Sequence, residues 1–206
     1  MSPAAFKRAL TGAFFVVLVL TGLTACRSGS SWNNTDMTGT LPRLSFTMTR
    51  ARDGKTVTAQ DYRGKVTLLY FGYSFCTDAC PRTLSSIADV VKEMNGKAAA
   101  VRVLFVTVDP KRDTLAVLKR YESLFGPGFD ALRGTPDQLA ALARRYRISY
   151  SVTAAKDGKP YVVTHSAGVY VFGRDGSVRL LLSKLEGDKP DLAGTAADLT
   201  RLVDWK

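Results

Sequence analysis

Histidine is almost absent from this chain of 206 residues, and His165 stands alone. Cysteine is nearly as scarce, with Cys26, Cys76 and Cys80 the full complement of three. A structural zinc site of the exported kind usually closes with four protein ligands, and only Cys76, Cys80 and His165 are in view for one. There is no internal repeat, which removes repeat architectures. Acidic residues are outnumbered, 18 against 29 Lys and Arg, giving a formal charge of +11. That surplus does not by itself point to nucleic acid, because no zinc-finger, RRM-type or helix-turn-helix signature accompanies it. Long apolar runs are also missing. The one in the N-terminal region, Ala13 to Leu23, falls short of the roughly 20 residues that a spanning helix needs.

What is present at the N-terminus has the order of a secretory signal: Lys7 and Arg8, then the apolar run, then Leu23-Thr24-Ala25-Cys26. The ending resembles a bacterial lipobox, which implies cleavage before Cys26 and lipid attachment to its thiol. Residues 1–25 are therefore expected to be a lipoprotein-type signal peptide. Residues 26–40, rich in Ser, Asn, Thr and Gly, read as a flexible spacer, and the globular domain is expected over 41–206. The expected location is the periplasmic face of a bacterial membrane, with a soluble periplasmic protein as the alternative. Loss of Lys7 and Arg8 lowers the charge from +11 to +9, still enough to favour anionic lipid or an acidic protein partner.

Within the domain, strand and helix patterns alternate. Val66 to Phe71 is a nearly continuous apolar run ending at Gly72, the mark of a strand buried on both faces. From Pro81 the apolar positions become Leu84, Ile87, Val91 and Met94, one stripe of a helix. Val101 to Val108 predicts a second buried strand, and a helix follows from Thr114 to about Leu124. Thr135-Pro136-Asp137-Gln138 supplies an N-cap, a first-turn proline and a capping-box glutamine. Strands are expected over Tyr161 to Thr164, Gly168 to Phe172 and Ser177 to Leu182, with Asp175-Gly176 in the last turn. A closing helix runs from Asp191 to about Val203. The class is α/β, a mixed central sheet flanked by helices.

Cys76 and Cys80 then fall between a buried strand and the helix after it, where open α/β folds carry function. Unpaired N–H groups and the helix dipole there favour a thiolate. Their spacing suits either a disulfide or two bonds to one metal. Two thiolates and an imidazole are soft donors that suit copper or zinc, whereas magnesium and calcium would want carboxylates. A lone histidine at a strand margin is ordinarily a hydrogen-bonded structural residue, so His165 by itself decides nothing.

Phe71 to Pro81, Val106 to Thr114, Thr164-His165-Ser166 and Val169 to Phe172 together resemble the Sco/SenC family in order and separation. The resemblance implies a thioredoxin-like fold and a copper chaperone for cytochrome c oxidase assembly. It implies Cys76, Cys80 and His165 as ligands of one copper ion, Cu(I) or Cu(II), with Cys76 and Cys80 also forming a redox disulfide. Asp78 and Asp109 become outer groups that orient ligands or meet a partner. The plainer account makes Asp78 a helix cap and Asp109 a strand end before Pro110. Partners implied are a copper-receiving oxidase subunit or another cuproprotein, a thiol reductant, and the membrane through Cys26. Thr77 departs from the family, many members of which carry proline after the first cysteine; threonine restores an N–H and backbone freedom. The expectation is a carrier and not an enzyme. The competing class is a thiol–disulfide oxidoreductase or peroxide reductase using the same cysteines.

Overall fold

The computed structural model describes residues 31–154, 161–185, 187 and 189–205. The expected signal segment and Cys26 lie outside the described residues. Ten strands and four α-helices follow in chain order among the described residues. The first part contains β1 (Thr35–Asp36), β2 (Thr47–Arg50), β3 (Thr56–Thr58), β4 (Val66–Gly72), α1 (Ala79–Glu93), β5 (Val101–Thr107) and α2 (Leu115–Glu122). The second contains β6 (Phe129–Arg133), α3 (Pro136–Arg145), β7 (Tyr150–Thr153), β8 (Val162–His165), β9 (Val169–Phe172), β10 (Val178–Leu182) and α4 (Leu192–Asp204). Eight strands form one mixed sheet in the order β1-β10-β9-β4-β5-β6-β2-β3, while β7 and β8 pair as a separate ribbon.

Strand β4 organises the interior. All seven of its residues are buried, and it runs parallel to β5 and antiparallel to β9. Its side chains alternate between faces, as strand geometry demands. Leu68 and Tyr70 join one core with Leu84 and Ile87 of α1, Leu118 of α2, and Leu199 and Leu202 of α4. Leu69 and Phe71 join the other with Leu139 and Leu142 of α3. A strand covered on both sides needs the continuous apolar run that the sequence shows there.

The helix starts follow local chemistry. At α3 the Thr135 hydroxyl accepts from the Gln138 N–H at 3.2 Å, and the Gln138 side chain accepts from the Thr135 N–H at 2.8 Å. Helix α1 begins at Ala79, two residues before the expected Pro81, which places Pro81 in the first turn where its missing N–H leaves no orphan acceptor.

Residues 32–40, expected as spacer, are part of the domain. The Asp198 carboxylate on α4 accepts from the Asn33 N–H at 3.2 Å and the Asn34 N–H at 2.9 Å. It also accepts from both asparagine side chains at 3.0 Å. Strand β1 pairs with β10, and Trp32 stacks on Trp205 with ring centroids 5.7 Å apart. Asn33 and Asn34 read as linker by composition, but here they supply the donors that a buried carboxylate needs. The unit that carries the two cores and the sheet begins at Trp32.

Candidate metal centre

Three segments meet beyond the C-terminal end of β4. The loop 73–78 carries Cys76, the first turn of α1 carries Cys80, and the last residue of β8 is His165. The Cys80 sulfur is fully buried and lies 3.3 Å from His165 Nε2. Cys76 is half-buried, and its sulfur accepts from the Cys80 backbone N–H at 3.4 Å. Both cysteines are free thiols.

Local structure explains each placement. The helix start of α1 turns the Cys80 N–H back toward Cys76, one of the orphan donors of a first turn. Gly72 admits the Cys80 sulfur, because a Cβ there would stand 3.0 Å from Sγ and 2.6 Å from a ring carbon of Phe105. His165 is registered opposite Tyr150 in the β7–β8 ribbon. Its Nδ1 lies 3.0 Å from the Ser166 carbonyl. A carbonyl only accepts, so Nδ1 carries the hydrogen and Nε2 presents a lone pair to Cys80. Tyr70 and Tyr73 meet the imidazole edge-on, with centroids at 6.0 and 5.9 Å.

The two thiols are unlike each other. Burial alone would raise Cys76, but N–H donors from Cys80 and Asp78, aided by the Cys80 thiol and the Tyr73 hydroxyl, hold it below its ordinary value. Burial dominates at Cys80 and pushes it up to about 12, and the neighbouring Cys76 sulfur adds to the rise. The expectation that both thiols would ionise readily therefore holds only for Cys76. At Cys80 the loss of water outweighs the helix terminus. The pair in its reduced state is thus a half-exposed sulfur held low beside a buried thiol held high, with the buried sulfur 3.3 Å from His165 Nε2.

The expected outer groups are placed differently from one another. Asp109 is buried, accepts from the Tyr161 hydroxyl at 2.6 Å and pairs with Arg112. The Arg112 guanidinium lies over the rings of Tyr161 at 4.0 Å and Phe75 at 5.1 Å. Asp109 thereby ties the cysteine loop to the segment leading into β8. The Asp78 side chain is 71% exposed, pairs with Arg82 at 3.0 Å, and makes no cap bond. Its link to Cys76 is through the backbone N–H.

Asp113 has the larger structural role at the loop and was not singled out from the sequence. Fully buried, it accepts from the Ser74 N–H at 3.0 Å and from the hydroxyls of Ser74 and Thr107 at 2.5 Å each. It follows β5 and holds the loop after β4 at its root. Tyr70, Tyr73, Gly72 and Arg112 were likewise not chosen as site residues. Each lies within or beside the quoted motif segments, but only tertiary contact reveals its role.

A sequence profile of the family described as SCO1/SenC matches residues 36–203. Among curated relatives, the mitochondrial SCO2 homolog of Bos taurus is 38% identical over 125 residues, 60% of this chain and 47% of the relative. The chain spans about half the length of these curated relatives, 47% of the Bos taurus protein and 46% of its Mus musculus counterpart. Bradyrhizobium japonicum ScoI, solved with copper bound, is 36% identical, with a TM-score of 0.68 covering 77% of this chain and 98% of that one. Arabidopsis thaliana ScoI, also with copper bound, is 30% identical, with a TM-score of 0.68 covering 78% and 97%. The mixed sheet flanked by helices is the thioredoxin-like fold of these structures, and the chain belongs to the SCO1/SenC family.

Proposed function

We propose that this chain is an extracytoplasmic copper carrier that takes one copper ion on Cys76, Cys80 and His165 and passes it to the copper centre of cytochrome c oxidase or another cuproprotein. The observation that carries the reading is the 3.3 Å approach of the Cys80 sulfur to a ring nitrogen whose lone pair faces it, with a second sulfur one helical turn away. Copper is the cargo. Two sulfurs and one imidazole match Cu(I), and the imidazole also accommodates Cu(II). Among the described residues no three His, Cys, Asp or Glu side chains are already drawn around one point. Closing the set takes a turn of the Cys76 side chain, which its half-buried position allows.

Capture exchanges protons for metal, because both sulfurs bind as thiolates. Burial keeps Cys80 protonated, so metal binding there must displace a proton, a cost that the affinity of thiolate for a soft ion offsets. That favours a tightly bound soft ion over a loosely held hard one. Three protein ligands leave a place for an acceptor's ligand, so transfer proceeds by exchange. Removal of two electrons and two protons by an oxidant would join Cys76 to Cys80 and eliminate both sulfur ligands; a thiol reductant restores them. Thr77 leaves the ligands unchanged and tunes the loop. Tethering through a lipid on Cys26 would keep the carrier at the periplasmic face of the membrane.

A second reading, thiol–disulfide exchange, is favoured by the inequality of the cysteines. A lowered, half-exposed Cys76 beside a raised, buried Cys80 is an attacking and resolving pair. One experiment separates them: anaerobic Cu(I) titration of the reduced domain against a competing chelator, with His165→Ala alongside. One equivalent bound, and a weakening of at least about tenfold in the variant, support the carrier. Loss of an outer partner already costs about that much at metal sites. Unchanged affinity in the variant would give first place to thiol exchange.

A further inference from the structure

The far end of the sheet from the cysteines carries an aromatic and basic face. Trp32 and Trp205 stack there, and these are the two tryptophans of the chain. The Arg201 guanidinium lies 3.9 Å from the centroid of Trp32, and Arg179 lies 5.1 Å from that of Trp205. Trp205 remains 46% exposed. Beside it a cavity of about 480 Å³ opens between Gly64, Arg174, Arg179 and Trp205. Arg43 and Arg179 share the carboxylate of Asp175, at 3.4 and 3.7 Å. Arg63 reaches the Asp175 carbonyl and Arg174 the carbonyls of Gly64 and Val203. Arg43, Arg63, Arg174, Arg179 and Arg201 outnumber the acids beside them, Asp36, Asp175 and Asp204, so a positive surplus remains around the indoles.

We propose that this face rests on anionic lipid headgroups. Indole rings favour the boundary between headgroups and acyl chains. Each Lys or Arg near an anionic surface strengthens attachment. The membrane is favoured over an acidic protein by where the chain enters: Cys26 lies six residues before Trp32, so a lipid at Cys26 keeps Trp32 within roughly 20 Å of the bilayer even with the chain fully extended. In this the proposal deepens the tethered reading above. The face also gives the tether a direction. Gly64 donates to the Arg174 carbonyl at 3.0 Å just before β4 begins, whereas Cys76 and Cys80 follow its end. Seven residues of strand separate the two ends by about 20 Å. Contact through the tryptophans turns the copper site outward, toward a partner.

The test uses residues 32–206, which contain both cores and the whole sheet. Vesicles of phosphatidylcholine with phosphatidylglycerol are compared with phosphatidylcholine alone at low salt. Because both tryptophans sit in the face, intrinsic fluorescence reports it directly. Expected are a blue shift and quenching by brominated acyl chains with anionic vesicles only. The double variant Arg179→Ala, Arg201→Ala should weaken partitioning about twenty-five-fold, at roughly fivefold per basic residue. Its Cu(I) affinity should be unchanged, which checks its fold. Equal binding to both vesicles, or no fluorescence change with anionic ones, would overturn the proposal through the wild-type protein alone. Binding of polyglutamate without vesicle binding would overturn it in favour of an acidic protein. Since residues before 32 are absent, failure here leaves lipidation of Cys26 untouched, and the mass of the full chain recovered from membranes reports that separately.

Discussion

Replacement of Asp113 by Asn tests whether the cysteine loop is held from beneath. The native carboxylate is fully buried and receives three donors, two from Ser74 and one from Thr107. Asparagine keeps the shape but turns an NH2 toward one of those donors. The lost bond to a charged acceptor is worth about 1.5–3 kcal/mol, and the stranded buried donor costs about 1–3 kcal/mol more. The variant should therefore lose about 2.5–6 kcal/mol, a large share of the roughly 5–15 kcal/mol typical of a domain. Urea unfolding at neutral pH reads this as a lower midpoint at an unchanged slope. Cu(I) affinity should fall as well, because Ser74 lies two residues before Cys76 in the loop. A loss below about 1 kcal/mol, with copper binding intact, would refute the idea that Asp113 positions the loop.

Iodoacetamide at pH 8 should modify Cys76 well before Cys80, since the first is lowered and half-exposed while the second is buried and raised; peptide mapping that finds equal rates would contradict this. The reduced domain should lose stability as pH rises from the ordinary thiol value of 9.0 toward about 12, because the folded chain keeps the Cys80 proton where the unfolded chain releases it. The slope from this group approaches about 1.4 kcal/mol per pH unit, and urea midpoints at pH 8 and pH 10 should fall less in Cys80→Ala than in the native sequence. Gly72→Ala should cost about 1–3 kcal/mol and weaken Cu(I) binding, as its methyl group would press on Phe105 and the Cys80 sulfur; wild-type thermal stability in that variant would show that the approach can relax freely.

The frame of the fold was readable where a single local pattern decided the outcome. The apolar run of β4, the stripe of α1 and the capping box of α3 each carry their own physics, independent of distant residues. Strand β6 was not foreseen, since Phe-Asp-Ala-Leu-Arg places an acid at Asp130, which is buried and takes its ion pairs from Arg50 and Arg52. Strands β2, β3 and β7 are only three or four residues long, too short to establish a period. At the candidate site the soft side chains stood out by scarcity, and Cys80 and His165 do meet. The shell around them did not stand out, because the Ser74–Asp113 and Asp109–Tyr161 links join residues 39 and 52 positions apart. Burial at Cys80, which reverses the effect of the helix terminus, is likewise invisible in a spacing.

The clamp of Asn33 and Asn34 on Asp198 has a mechanical consequence. These bonds join positions 165 and 164 residues apart, so a pull on the chain entering at residue 32 is delivered first to α4. Asp198 answers it with four hydrogen bonds, and β1 adds its pairing with β10. The load spreads into a helix packed on the core before it can peel the edge of the sheet. The loop bearing Cys76 and the helix start bearing Cys80 both follow a central strand, away from the point where that load enters, so a pull on residue 32 leaves the sulfurs where they are.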